Sequence, residues 1–142
     1  MDITQNDYRE LAEFRYQLRH FLQFSEMQAR EHGIEPQQHQ ALLALKGLPV
    51  GSQPTIGELA NRLALRHHTT VELVNRLESA GFVTRHSDPA DGRQILLHLT
   101  PRGTAKLRSL SLAHRDELQV KGPELAKSLQ AILKAVEAFH AL

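Results

Sequence analysis

The chain has 142 residues, enough to bury a sizeable core, and 17 Lys+Arg against 16 Asp+Glu leave a formal net charge of +1. That balance lacks the strongly basic footprint usual for nucleic-acid binding. The absence of cysteine excludes thiol-based peroxide sensing and any Cys-containing metal site, and it agrees with a reducing compartment. No apolar run reaches the ~18 residues of a membrane span, and the start, Met1 to Asn6, is polar where a secretory leader needs an apolar stretch. A cytoplasmic location is the expectation.

Near the N-terminus Tyr8, Leu11, Phe14, Leu18, Phe21 and Leu22 recur at threes and fours, which predicts a long amphipathic helix within a first region, 1–34. A second helix is expected over 36–46, opened by Pro36 and presenting Ala41, Leu42 and Leu45. Thr55 and Glu58 then stand in capping-box spacing, and Ile56, Leu59, Ala60 and Leu63 form one apolar face behind them. After Leu65 the polar run Arg66-His67-His68-Thr69-Thr70 opens another helix, packed through Val71, Leu73, Val74 and Leu77 and stopped by Gly81. Phe82 to Arg85 and Gln94 to Leu99 alternate as strands around the turn signals Asp88-Pro89 and Asp91-Gly92. Ile95, Leu97 and Leu99 share a face expected to lie on the helices. From Pro101 a helix with Leu107, Leu110 and Leu118 is predicted, broken at Gly122-Pro123. A last helix follows with Leu125, Leu129, Ile132, Leu133, Val136 and Phe139.

Helix, turn, helix and hairpin in this order predict a mainly α fold with a small β-hairpin wing. The expected architecture is a winged helix-turn-helix over 35–100, flanked by dimerisation helices in 1–34 and 101–142. In such a unit the second helix can enter a major groove while the hairpin reaches an adjacent groove, so sequence-specific binding of double-stranded DNA is the expected function. The candidate DNA contacts are Arg66, His67, His68, Thr69 and Thr70 at the helix start, with Arg76, Arg85 and Arg93 beyond. Threonine suits phosphate or a thymine methyl, histidine suits guanine or the sugar-phosphate chain, and Arg93 at the hairpin tip suits a narrow A·T-rich minor groove. Glu72 is equally a capping partner or a base reader, Asn75 can bond within its helix or to the wing, and Glu78 faces solvent or pairs with Arg85. Within 55–100 the five arginines 62, 66, 76, 85 and 93 cancel Glu58, Glu72, Glu78, Asp88 and Asp91, so placement, not net charge, has to supply the attraction.

The runs TIGELANRL at 55–63, TTVELVNRLESAGFV at 69–83 and DPADGRQILLHLTPRGTAKL at 88–107 resemble the MarR family of bacterial winged-helix regulators, and the resemblance covers essentially the whole chain. Asp88, Asp91, Arg93, Leu99, Thr100 and Gly103 occupy the family's D-x-x-D-x-R, strand, Leu-Thr and glycine positions. The resemblance implies that Asp91 steadies the wing tip and Arg93 contacts the minor groove. A second basic residue often precedes that arginine, and here Gly92 stands there. It further implies a homodimer acting as a ligand-responsive repressor on a pseudopalindromic operator in a bacterial cytoplasm. A small aromatic or phenolic effector is expected, with Tyr16, Arg19, His20, His39 and His114 as candidate contacts.

Two alternatives stand beside this reading. Nine histidines invite a metal- or haem-responsive regulator, yet His67 and His68 are adjacent, so they diverge on a helix, and no His-x₃-His or H-E-x-x-H spacing occurs. No metal site and no cofactor are therefore expected. The near-neutral reading domain and Gly92 fit a winged-helix protein-interaction module that has lost DNA binding. An enzyme is not expected, because the G-x-S-x-G, Walker A and dinucleotide-binding patterns are all missing.

Overall fold

A computed structural model describes residues 2–141; Met1 and Leu142, the outermost residues of the two flanks, lie outside it. The elements run α1 (Gln5–Glu31), α2 (Pro36–Lys46), α3 (Ile56–Leu63), α4 (His67–Ser79), β1 (Val83–Ser87), β2 (Ile95–Leu99) and α5 (Pro101–His140). Two compact units result, one formed by Ala29–Ser111 and the other by the segments up to Gln28 and from Leu112 onward.

In the winged unit, Leu42, Leu59, Leu73, Val74, Leu77, Val83 and Leu97 are buried in one core. These are the apolar positions that helical and strand periodicity set facing inward. The core reaches beyond 35–100, because Ala29, Ile34, Leu107 and Leu110 are buried in it as well. The antiparallel hairpin pairs Val83 with Leu99 and Arg85 with Leu97, which places Val83 and Leu97 on the inner face. Ile95, at the far end of that face, is exposed, because the hairpin has run past the helices there. The Leu97 N–H donates to the Pro54 carbonyl at 2.8 Å and so ties β2 to the segment entering α3.

Local chemistry fixes the ends of the reading motif. The Thr55 hydroxyl accepts from the Glu58 N–H at 3.1 Å. The expected return bond from Glu58 is not made, since its carboxylate takes the Arg62 Nε at 3.0 Å instead. Gly81 follows Ala80, the C-cap of α4, with φ +78, a left-handed conformation that costs glycine nothing. Ala64, between α3 and α4, holds φ 54 without that freedom and turns the chain so that the Leu65 N–H reaches the Ala60 carbonyl at 2.9 Å. Thr100 caps α5: its hydroxyl accepts from the Gly103 N–H at 3.0 Å and donates to the Gly81 carbonyl at 2.5 Å.

The predicted break at Gly122-Pro123 does not occur, and α5 runs unbroken from Pro101 to His140 with Pro123 inside. Pro123 removes one donor, leaving the Gln119 carbonyl without its helical partner, but residues 119–121 are exposed and water can take that bond. Gly122 has no Cβ to meet the proline ring, so the residue before Pro123 can stay helical. In the helical unit, His114 on α5 meets α1 through the Ser25 hydroxyl at 2.8 Å and through edge contacts with Phe21 and Phe24. Much of the apolar stripe is uncovered: Tyr8, Leu11, Leu22, Leu129, Leu133, Val136 and Phe139 are all exposed.

Candidate nucleic-acid interface

Helix α4 buries Thr70, Leu73, Val74 and Leu77. At about 100° per residue, the opposite stripe is His68, Glu72, Asn75 and Ser79, all exposed. Arg66 and His67 are exposed at the start of the helix, and Thr69 is half-buried beside them. The backbone N–H groups of this first turn have no side-chain cap from Arg66, so the turn can receive a phosphate.

Thr70 does not belong to this surface. It is fully buried, and its hydroxyl donates to the Arg66 carbonyl at 2.9 Å, an i−4 bond that satisfies the group inside the core. A contact with phosphate or a thymine methyl is therefore corrected to a packing role. Its neighbour Thr69 keeps access.

The arginines divide into tethered and free. Arg76 Nε donates to the Glu35 carboxylate at 3.0 Å, linking α4 to the start of α2. Arg85 Nη2 donates to Asn75 Oδ1 at 2.6 Å and Nη1 lies 3.4 Å from Glu78. Asn75 is thus bonded to the wing, and Glu78 pairs with Arg85. Arg93 is different: its side chain is 97% exposed, and Asp91 is only a loose ionic neighbour at 3.7 Å.

The tip that presents Arg93 is built by two aspartates. Asp91 Oδ1 accepts from the Arg93 N–H at 3.1 Å, and its carbonyl accepts from the Gln94 N–H at 2.9 Å. Asp88, buried at the base, accepts from the Ala90 N–H at 2.9 Å, while its own N–H donates to the Gln94 carbonyl at 2.9 Å. Both are Asx turns, in which a short carboxylate replaces a backbone acceptor. Sequence reasoning gave the steadying role to Asp91 alone; the Asp-Pro dipeptide at 88–89 was the available sign of the second.

The five residues expected around an effector fall in two different units, His39 in the winged unit and the other four in the helical unit. His39 is buried in α2 of the winged unit, because its position on α2 turns it to the core. His114 is engaged with Ser25, Phe21 and Phe24, which makes it a packing residue. Tyr16 and His20 pack with ring centroids 4.3 Å apart and planes tilted by 48°, and they line a cleft of about 610 Å³ in the helical unit, together with Phe21, Phe24 and Lys121; Arg19 does not line it. Among the described residues no group of three or more His, Asp or Glu side chains is placed to hold a metal ion. No helix among them is long and apolar enough to cross a membrane.

A helix-turn-helix whose second helix is polar outward, with a hairpin wing ending in an exposed arginine, defines a winged-helix DNA-binding protein. The MarR family profile matches residues 32–94, which span α2 to the wing tip. The uncharacterized HTH-type transcriptional regulator YsmB of Bacillus subtilis is 29% identical over 121 residues, covering 82% of this chain and 81% of its own. AbsC, a MarR family regulator of Streptomyces coelicolor, has a similar structure with a TM-score of 0.75 at 17% identity, over 99% of this chain and 96% of that one. The MepR–DNA complex of Staphylococcus aureus gives a TM-score of 0.67 at 19% identity, over 99% and 100% of the two chains. The winged unit of this chain is thus similar to the MarR family of winged helix-turn-helix regulators, and the chain shares their fold over almost its whole length.

Proposed function

We propose that this protein is a homodimeric repressor that binds a pseudopalindromic operator and responds to a small ligand. The observation behind the proposal is the combination of an outward polar face on α4 with a wing tip that leaves Arg93 97% exposed. Residues 35–100 would read DNA, with His68 and Thr69 at the major groove, Arg66 and His67 near phosphate, and Arg93 in the minor groove. The MepR structure of similar fold is a DNA complex, which supports the same use of the fold here. Occlusion of a promoter by the bound protein is the simplest route to repression.

Residues 1–34 and 101–142 would form the dimer. Leu11, Leu22, Leu133, Val136 and Phe139 are each 45–51% exposed, and an apolar stripe of this length is normally covered by a partner. The cleft beside Tyr16 and His20, walled by Lys121 but also by Glu117 and Glu124, suits a small aromatic ligand through its aromatic and apolar lining rather than through net charge.

The test is selection of binding sequences from a random duplex library at physiological salt, with and without a panel of small aromatic acids. An enriched inverted repeat with half-sites roughly 34–36 Å apart is expected, and an effective acid would abolish it. Failure to enrich any sequence under either condition would refute the operator reading.

A further inference from the structure

We infer that Glu72 reads a cytosine in the operator half-site and that Asn75, held by Arg85, donates to the guanine edge beside it. This rests on the DNA reading above and specifies what the reading helix recognises.

Glu72 lies at the centre of the stripe opposite the α4 core, three residues before Asn75 and four after His68, and it is exposed. The other acids of the reading surface are engaged: Glu35 with Arg76, Glu58 with Arg62, Glu78 with Arg85, and Asp91 with the Arg93 backbone. Glu72 is neither a cap nor half of an ion pair among these. Docking α4 in a major groove would therefore bring a bare carboxylate among phosphates and remove its water, a cost that needs a donor in return. A carboxylate only accepts, and the groove offers two kinds of donor, the cytosine N4 and adenine N6 amino groups. Adenine N6 stands beside the N7 acceptor, which repels a carboxylate. Cytosine N4 stands beside a C–H. The chemistry therefore favours cytosine.

Asn75 complements this. A guanidinium has no acceptor, so the 2.6 Å bond from Arg85 Nη2 settles which end of the amide faces the wing: Oδ1 does, and Nδ2 is turned away as a donor. Guanine O6 and N7 accept, and guanine O6 lies next to cytosine N4 in the same base pair. An acceptor and an oriented donor about one helical turn apart thus match a C·G pair. Arg85 acts as a positioning residue through Asn75.

The experiment repeats the library selection with wild-type protein, Glu72→Ala and Glu72→Gln, followed by affinity titrations on single-base variants of the enriched site. Wild type should require C at one position per half-site and lose about 5- to 150-fold in affinity when it is changed to T. Glu72→Ala should weaken that preference at this position alone, leaving only the part that Asn75 supplies, while binding random duplex more tightly, having shed a charge that phosphate repels. Glu72→Gln should shift the preference toward A, because an amide can pair with both N6 and N7 of adenine. Thermal unfolding of both variants should match wild type, as expected for an exposed helix position. Unchanged base frequencies at every position in both variants would overturn the inference and leave the operator reading intact. A wild-type protein that enriches no sequence would overturn both.

Discussion

Gly103 in the first turn of α5 is where the packing tolerates least. A Cβ there would come closer than 3.0 Å to the Phe82 carbonyl oxygen and lie 3.0 Å from its carbon, so both obstacles are backbone atoms. That carbonyl already accepts the Thr100 N–H at 3.0 Å, which joins the residue before β1 to the start of α5. Overpacking costs about 1–3 kcal/mol where side chains can yield, and a backbone obstacle places Gly103→Ala at the upper end. Weakening the Thr100 bond adds about 1 kcal/mol, while the better helix propensity of alanine returns at most about 1 kcal/mol. The expected net loss is about 3 kcal/mol, which in a chain of this size lowers Tm by roughly 6–12 °C. Thermal and urea unfolding should be compared at one protein concentration, since association makes Tm concentration-dependent. Gly92→Ala is the control, because a Cβ there meets nothing within 4 Å. A Gly103→Ala protein within about 0.5 kcal/mol of wild type, the scatter of an ordinary surface substitution, would show that the α4–wing–α5 junction is looser than its distances indicate.

Arg93→Ala should leave Tm unchanged, because the side chain is almost wholly exposed; anisotropy titrations at several salt concentrations should show weaker DNA binding and a salt slope smaller by about 1. An unchanged slope would remove Arg93 from the phosphate and minor-groove contacts. Gly92→Arg places a cation beside it in open space and should do the reverse, steepening the slope by about 1 and raising affinity on every duplex. Thr70→Val should lose the bond to the Arg66 carbonyl and cost about 0.5–1.5 kcal/mol in urea unfolding, with no change in the selected sequence. A changed sequence would put Thr70 back on the DNA surface.

The core was legible because periodicity alone separates Leu59, Leu73, Val74, Leu77 and Leu97 from their polar neighbours, and all five are buried. Gly81 was legible as a helix stop because only its left-handed φ serves there at no cost. Thr70 misled because a threonine in a polar run looks exposed, whereas the i−4 hydroxyl bond lets it enter the core as if apolar. Gly122-Pro123 misled for a related reason. Local propensity opposes the helix there, but the expense is one solvated carbonyl in a helix of 40 residues. His39, His114 and Tyr16 could not be sorted by spacing, since their surroundings depend on which face of a long helix meets the other elements.

The net neutrality of the reading surface has a structural cause with a functional consequence. Arg62, Arg76 and Arg85 are each held by an acid of the same unit, at 3.0, 3.0 and 3.4 Å. These exposed pairs add little to stability. They do lower the attraction toward phosphate on any sequence, because a paired arginine releases fewer counterions on binding than a free one. On the proposed reading, Arg93 and the uncapped start of α4 then remain as the main backbone contacts. A surface arranged in this way gives up non-specific affinity and leaves discrimination to groups that face base edges. The salt slope should therefore fall well below the count of arginines in the unit, and most of the difference between operator and random duplex should persist as salt is raised.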